Sequence, residues 1–326
     1  MKAIVYKEYG SPDVLRLVDV EKPSPGADEV LVEVLACSLN ALDWRMLRGK
    51  PALARVMAGG LIKPKRQTPG ADFAGRVAAV GAAVSEFRAG DAVFGVRGKT
   101  GGALAEYVCT TQDRLVAKPR DVSFEEAAAV PVAGVTALLG LRDAGRIQPG
   151  QKVLIDGASG GVGTFAVQIA KSFGAEVTAV CSTANVATAR SIGADHVIDY
   201  KREDFTQNGQ RYDLIFAANA HRSIFDYKRS LSPNGIYVMA GGGGAQILQA
   251  MLLGPCLSMV GRNKMGIVMA KLTRKDLGVL ESLLESGKIK PVLDRTYPLS
   301  DAADALRYVE QGHARGKVVV TIGHQK

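Results

Sequence analysis

The run Val153-Leu154-Ile155-Asp156-Gly157-Ala158-Ser159-Gly160-Gly161-Val162-Gly163 decides the fold class of this 326-residue chain. It reads as a short apolar strand, a glycine-rich turn and the opening of a helix. Val162, Ala166, Ile169, Ala170 and Phe173 follow at helical spacing and give that helix an apolar face. A diphosphate needs bare backbone N–H groups at the positive end of a helix dipole. A side chain at Gly160 or Gly161 would block that approach, and Gly163 lets the helix pack closely on the strand. A second strand, Val177 to Cys181, arrives where a βαβ unit requires it. Ser159, Gly160, Gly161, Val162 and Gly163 are therefore candidate diphosphate contacts.

Strands and helices keep alternating around this unit. Lys152 to Asp156, Val177 to Cys181, His196 to Ile198, Leu214 to Phe216, Ile236 to Ala240 and Leu257 to Val260 are strand candidates. Six of them predict a doubly wound parallel sheet, the Rossmann arrangement. Upstream the character is all-β. Lys2 to Tyr6, Glu29 to Ala36, Arg76 to Val80 and Asp91 to Val96 read as strands punctuated by glycines, and suggest a partly closed barrel. Ser123 with Glu126 forms a capping-box pattern that opens a helix, and a second helical stretch runs from Val132 to Ala144. Beyond the sheet, Asp276 to Ser286 is helical, Ser300 to Gln311 is helical, and Lys317 to Ile322 is a strand that can rejoin the barrel. The predicted division is 1–121 completed by 292–326, with 122–291 inserted as the dinucleotide-binding domain.

The formal charge is +9, from 41 basic and 32 acidic residues, with no long basic run. A solvated surface accounts for it, so no nucleic-acid partner is expected. Cys37, Cys109, Cys181 and Cys256 lie far apart without a CxxC, which argues against a disulfide framework or a zinc lobe and fits a cytoplasmic protein. Arg229 to Arg262 encloses a stretch with no charge, but Pro233, Gly241 to Gly244 and Pro255 interrupt it, so no integral membrane segment is expected.

The end of the second strand bears on NAD versus NADP. A carboxylate there would hold a ribose hydroxyl and repel a 2′-phosphate. This chain has Ser182-Thr183, and the next strand ends in Asp199-Tyr200-Lys201-Arg202, offering a phenol and two cations. Ser182, Thr183, Tyr200, Lys201 and Arg202 are the candidate 2′-phosphate contacts and NADP(H) the expected cofactor; surface charge is an equal account of Lys201 and Arg202 taken singly. Gly241 and Gly242 follow the fifth strand at the carboxyl edge of the sheet, where ligands of such sheets bind.

With these segments in view the chain resembles the medium-chain dehydrogenase/reductase superfamily from end to end. The resemblance is carried by Pro25-Gly26 with Glu29 to Val32, Asn40-Ala41-Leu42-Asp43, Pro69 to Gly75, Gly101 to Tyr107, Val130 to Ala137, the glycine loop, Ile192 to Asp195 and Gly316-Lys317-Val318-Val319. Within that superfamily it is most similar to quinone oxidoreductases and enone reductases. The resemblance implies a GroES-like barrel that carries the catalytic cleft, with a Rossmann domain inserted. It also implies a homodimer that pairs through the sheet edge, here Leu257 to Val260, and it places Thr136 against the cofactor.

The zinc branch of the family would have Cys where this chain has Asn40, and Gly-His-Glu where it has Gly70-Ala71-Asp72. No His precedes His196. Cys37 reads as a buried apolar residue. No metal ligands are therefore expected, and the chemistry that fits is hydride transfer to an already electrophilic quinone or α,β-unsaturated carbonyl, which needs orientation and somewhere for negative charge to go. Asn40 is the first candidate for a polar group at the nicotinamide and substrate. Asp43 either orients that loop or caps a helix, Trp44 either lines the cleft or packs in the barrel, and residues around Arg45 to Arg66 are the expected pocket wall. Two other readings stand beside this one: an enoyl-thioester or 2-alkenal reductase, and a non-catalytic NADPH sensor or scaffold.

Overall fold

The computed structural model describes residues 1–50, 55, 60–65, 67–97, 102–269 and 271–323. The chain divides into two compact units, Met1–Val132 with Leu272–Glu285 and Pro291–Lys326, and Ala133–Lys271 with Ser286–Lys290. In chain order the strands are β1 Lys2–Val5, β2 Arg16–Asp19, β3 Glu29–Leu39, β4 Asp72–Val80, β5 Ala92–Val96, β6 Tyr107–Thr111, β7 Leu115–Ala117, β8 Lys152–Asp156, β9 Glu176–Cys181, β10 His196–Asp199, β11 Tyr212–Ala217, β12 Leu231–Met239, β13 Lys264–Ile267, β14 Leu293–Pro298 and β15 Lys317–Thr321. The α-helices are α1 Ala41–Arg48, α2 Phe124–Ala128, α3 Pro131–Leu139, α4 Gly161–Ser172, α5 Val186–Ser191, α6 Ile224–Arg229, α7 Gly244–Val260, α8 Arg274–Glu285 and α9 Ala302–Glu310.

The first unit is built on a seven-stranded sheet ordered β14-β15-β3-β4-β5-β7, with β6 also paired to β3. The long strand β3 explains this. Val30, Val32 and Val34 alternate into the core and are fully buried beside Phe73, Val77 and Val93, as a half-buried pleated surface requires. The C-terminal strand β15 joins antiparallel to β3, with Val318 opposite Leu39 and Val320 opposite Cys37. On the other side of β3, Ser38 stands opposite Asp72 of β4. Three strands distant in sequence thus put their ends side by side. Helices α2 and α8 belong to this unit, so its limits differ from the predicted 1–121 and 292–326. Helix α2 packs on β3 and β4, and α8 packs on β7. The expected capping box forms, Glu126 N donating to Ser123 Oγ at 3.1 Å and Ser123 N to Glu126 Oε2 at 2.9 Å.

The second unit is a six-stranded parallel sheet ordered β10-β9-β8-β11-β12-β13, the doubly wound order. The central strand β8 has Val153, Leu154 and Ile155 fully buried. One expected strand is wrong. Leu257 to Val260 is the last turn of the 17-residue helix α7, and the sixth strand is β13. The segment 244–260 is dominated by Ala, Leu, Met and Gln, good helix formers, and alternation is absent. Lys264-Met265-Gly266-Ile267 is short and carries a charged residue and a glycine, which hid it. Among the described residues no helix is long and apolar enough to cross a membrane.

Candidate active site

The glycine loop is shaped by backbone demands. Gly157 turns the chain off β8 at φ +78°, a conformation that favours glycine. A Cβ on Gly163 would stand 2.0 Å from the Gly157 carbonyl oxygen, so helix α4 reaches the strand only without one. Gly160 differs. It is the N-cap of α4 with ordinary extended backbone and no side-chain cap. A Cβ there would meet nothing closer than Gly157 O at 3.6 Å. Packing within the protein gives no reason for a glycine at 160; space for a ligand at the helix N-terminus does. The first N–H groups of a helix have no intrahelical partner, so Gly161, Val162 and Gly163 present donors and partial positive charge there. Ser159 is half-buried in the same turn. These residues fit the diphosphate of a dinucleotide. Gly241 and Gly242 follow β12. A Cβ at either would come within 2.7 Å of a backbone oxygen, Ala218 O or Ala220 O. They bring that turn against the segment after β11, where Ala220 N donates to Gly241 O at 2.8 Å.

Strands β9 and β10 end together, with Cys181 opposite Asp199. Ser182, Thr183, Tyr200, Lys201 and Arg202 therefore lie at one sheet end. Ser182 Oγ accepts from Asn185 Nδ2 at 3.0 Å and keeps its own O–H as a donor. Asp199 occupies the middle of this group, and sequence reasoning passed over it. Its carboxylate accepts from Thr183 Oγ1 at 2.6 Å and Lys201 N at 3.1 Å, and lies 3.5 Å from Arg202 Nε. Hydrogen bonding from Thr183, with the nearby cations, holds it below the usual carboxylate range. The Thr183 hydroxyl and Arg202 are thus drawn to Asp199. Tyr200 and Lys201 are exposed. Thr136 is half-buried on α3 in this same unit. Beneath the loop, buried Asp156 accepts from Tyr227 Oη at 2.5 Å, and Tyr227 stacks on Tyr237 with ring centroids 4.6 Å apart.

In the barrel unit, Asn40 is the N-cap of α1. Its N–H donates to Asp43 Oδ2 at 2.7 Å, and Asp43 Oδ1 accepts from Gly70 N at 3.2 Å. Asp43 therefore caps the helix and ties it to the 69–75 segment, which unites the two expected roles. Burial raises its pKa to about 6, opposed by the hydrogen bond from the Asn40 N–H and reinforced by the nearby Asp72 charge. The Asn40 side chain meets residues that were not predicted as site members. Its Nδ2 donates to Asp72 Oδ2 at 2.9 Å, and its Oδ1 accepts from Lys317 Nζ at 2.7 Å. Asp72 is fully buried and also accepts from Ser38 Oγ and the Val132 N–H, each at 3.1 Å. Lys317 is 2% exposed, donates to Leu39 O at 3.1 Å, and lies 3.7 Å from Asp72. Burial holds the Asp72 carboxyl above its ordinary pKa and the Lys317 ammonium below its own, each opposed by the other's charge. Cys37 is buried in the core, and Trp44 packs against that core. Of the expected pocket wall, residues 51–54, 56–59 and 66 lie outside the described residues.

These features define a dehydrogenase/reductase of the medium-chain type, and comparison agrees. An alcohol dehydrogenase GroES-like domain family matches residues 26–120, and a zinc-binding dehydrogenase family matches 192–320. The chain belongs to the medium-chain dehydrogenase/reductase superfamily, in its quinone-oxidoreductase-like branch. It is 35% identical to the chloroplast envelope quinone oxidoreductase homolog of Arabidopsis thaliana over 98% of both chains. It is 35% identical to the NADPH-dependent alkenal/one oxidoreductase of that plant, over 98% of this chain and 79% of the relative. The solved quinone oxidoreductase of Coxiella burnetii superposes with TM-score 0.87 at 30% identity, over 99% of each chain.

One of the matched families is named for zinc, and Asn40 and Asp72 are not arranged here as ligands for that ion. Among the described residues no three His, Cys, Asp or Glu side chains gather as a ligand set. Asp72 is committed to three hydrogen-bond donors and faces an ammonium group, which would repel a second cation.

Proposed function

We propose that this enzyme is a zinc-independent, NADPH-dependent reductase that delivers hydride to a quinone or an α,β-unsaturated carbonyl. The observation that carries this reading is the Asn40–Asp72–Lys317 cluster: Asn40 and Asp72, which the resemblance places where zinc relatives would hold metal ligands, are instead tied to each other and to a buried Lys317. A bound nicotinamide supplies the hydride. The protein's part is placement. Gly161 to Gly163 hold the diphosphate with backbone donors, Gly160 leaves room for it, and Ser182 donates toward the 2′-phosphate. Thr136, Gly241 and Gly242 complete the cofactor groove. Asn40 offers its remaining amide N–H to the substrate oxygen, where charge gathers as the double bond accepts hydride. Names of relatives support the substrate class: one is a quinone oxidoreductase homolog and another an alkenal/one oxidoreductase.

The decisive experiment is a panel of quinones, enals, enones and enoyl thioesters with NADPH or NADH, run with and without a chelator. Quinone or enone reduction that survives chelation is expected. Stoichiometric zinc in purified protein, or turnover that needs added zinc, would overturn the metal-free reading, and tight NADPH binding with no turnover of any member would favour a sensor. We further propose a homodimer. The edge to test is β13, not Leu257 to Val260, because β13 ends the sheet and α7 beside it exposes Leu248, Met251, Leu252 and Met259. Light scattering that reports a monomer would refute it. Free thiols, three of them buried, suit a reducing compartment such as the cytoplasm, although several relatives are named for the chloroplast.

A further inference from the structure

A carboxamide is nearly symmetric in shape: a half-turn about its last bond exchanges the oxygen for the NH2 group. Which end faces a substrate decides whether it donates or accepts. At Asn40 the exchange is blocked from both sides. Lys317 has only donors and stands 2.7 Å from Oδ1, while the Asp72 carboxylate has only acceptors and stands 2.9 Å from Nδ2. A flipped amide would set NH2 against the ammonium and oxygen against the carboxylate. The side chains come from three adjacent strand ends, β15, β3 and β4, and both charges are buried. Buried ion pairs contribute little net stability, and well-packed apolar residues often replace them without loss. Stability is therefore a poor reason for this pair, and orientation of the half-buried Asn40 amide is a better one.

We infer that Lys317 and Asp72 are positioning residues that lock the Asn40 carboxamide in one orientation, leaving a single N–H for substrate. This rests on the reading of Asn40 as the substrate-facing group. On this proposal Lys317 and Asp72 act through Asn40 alone. Their effect should vanish when Asn40 is removed.

The test is a double-mutant cycle on the whole enzyme, read by NADPH-dependent reduction of 1,4-naphthoquinone and trans-2-hexenal, with NADPH affinity measured separately by fluorescence. Lys317→Met should lower kcat on the order of a hundredfold, the size of a slight misplacement of a catalytic group, with NADPH affinity unchanged. Lys317→Arg, which keeps the charge, should recover most of that loss. In an Asn40→Ala background, Lys317→Met should cost little more. Additive losses in the double variant would overturn the inference and make Lys317 a merely structural residue. An Asn40→Ala enzyme of full activity would overturn it from the other side, by sinking the reading of Asn40 itself. A readout independent of turnover follows the Asn40 side-chain NH2 by 15N NMR, assigned through Asn40→Ala. One N–H should exchange slowly in the wild type and rapidly in Lys317→Met. Rapid exchange in the wild type would show an unlocked amide and refute the proposal even if Lys317→Met fails to fold well enough for kinetics.

Discussion

The glycine loop after β8 and the polar cluster at the ends of β3, β4 and β15 solve opposite problems. The loop makes a site from what is absent: side chains are removed so that backbone donors stand open at a helix N-terminus. The cluster makes a site from what is present, with Asn40, Asp43, Asp72 and Lys317 linked by hydrogen bonds and charge through Asn40 in a place with little water. A backbone site is rigid because any added atom collides. A side-chain site is rigid because each polar group is held by a partner of fixed hydrogen-bonding character. The first should be sensitive to volume and the second to charge.

Volume is tested hardest at Gly163. A side chain there must displace the Gly157 carbonyl, which belongs to the turn itself. Gly163→Val should destabilise the protein by about 3 kcal/mol or more and abolish NADPH binding together with stability. Urea denaturation and a fluorescence titration check both. A stable variant that binds NADPH normally would mean that the close approach of α4 to β8 is not required.

Charge is tested at Asp43. Its folded pKa of about 6 stands above the ordinary 3.8 because the carboxyl is buried. Between these values the folded protein holds a proton that the unfolded chain has released. Stability from this group is thus complete below about pH 4 and is lost as pH rises through about 6. At about 1.4 kcal/mol per pH unit the interval corresponds to about 3 kcal/mol at most. Other carboxylates add their own slopes, so the comparison is with Asp43→Asn. The stability difference between wild type and variant should shrink or change sign across that window. A difference independent of pH would show Asp43 ionised throughout.

Legibility in the sequence follows the same division. The loop was readable because its residues are contiguous and their order alone implies strand, turn and helix. Asn40 and Asp43 were readable as a pair within one turn of α1. Asp72 and Lys317 lay in quoted segments, yet their meeting with Asn40 depends on strand register, with Ser38 opposite Asp72 and Val318 opposite Leu39. No local pattern encodes a register between positions so distant. Asp199 was in plain view beside Tyr200, but attention to donors hid an acceptor that the strand pairing places against Thr183. The misplaced sixth strand has another cause: apolar composition does not separate a helix from a strand when alternation is missing.

A smaller effect separates the two glycines of the loop. Gly160→Ala introduces a methyl that no protein atom opposes within 3.6 Å, at a backbone angle any residue accepts. Stability should be unchanged. NADPH binding should weaken by at least about tenfold, or about 1.4 kcal/mol, because the methyl stands where the diphosphate must approach the helix. Loss of stability without loss of affinity would reverse the distinction drawn between Gly160 and Gly163.

The finest contrast is at Asp199, where the backbone unit carries a charge of its own. Ser182 offers a donor to a 2′-phosphate, while Asp199 is anionic at neutral pH and draws Thr183 and Arg202 toward itself. It both repels a phosphate and withholds the groups that would bind one. Asp199→Asn should therefore raise the ratio of kcat/KM for NADPH over NADH by roughly three- to tenfold, the scale of one solvent-screened charge. The gain should contract in about 0.5 M salt, where screening is short-ranged. Ser182→Asp should move the ratio the other way and remove most of the NADPH advantage. If Asp199→Asn instead lowers the ratio, the carboxylate serves the phosphate site by holding Thr183, Lys201 and Arg202 in place, and its negative charge is outweighed by that arrangement.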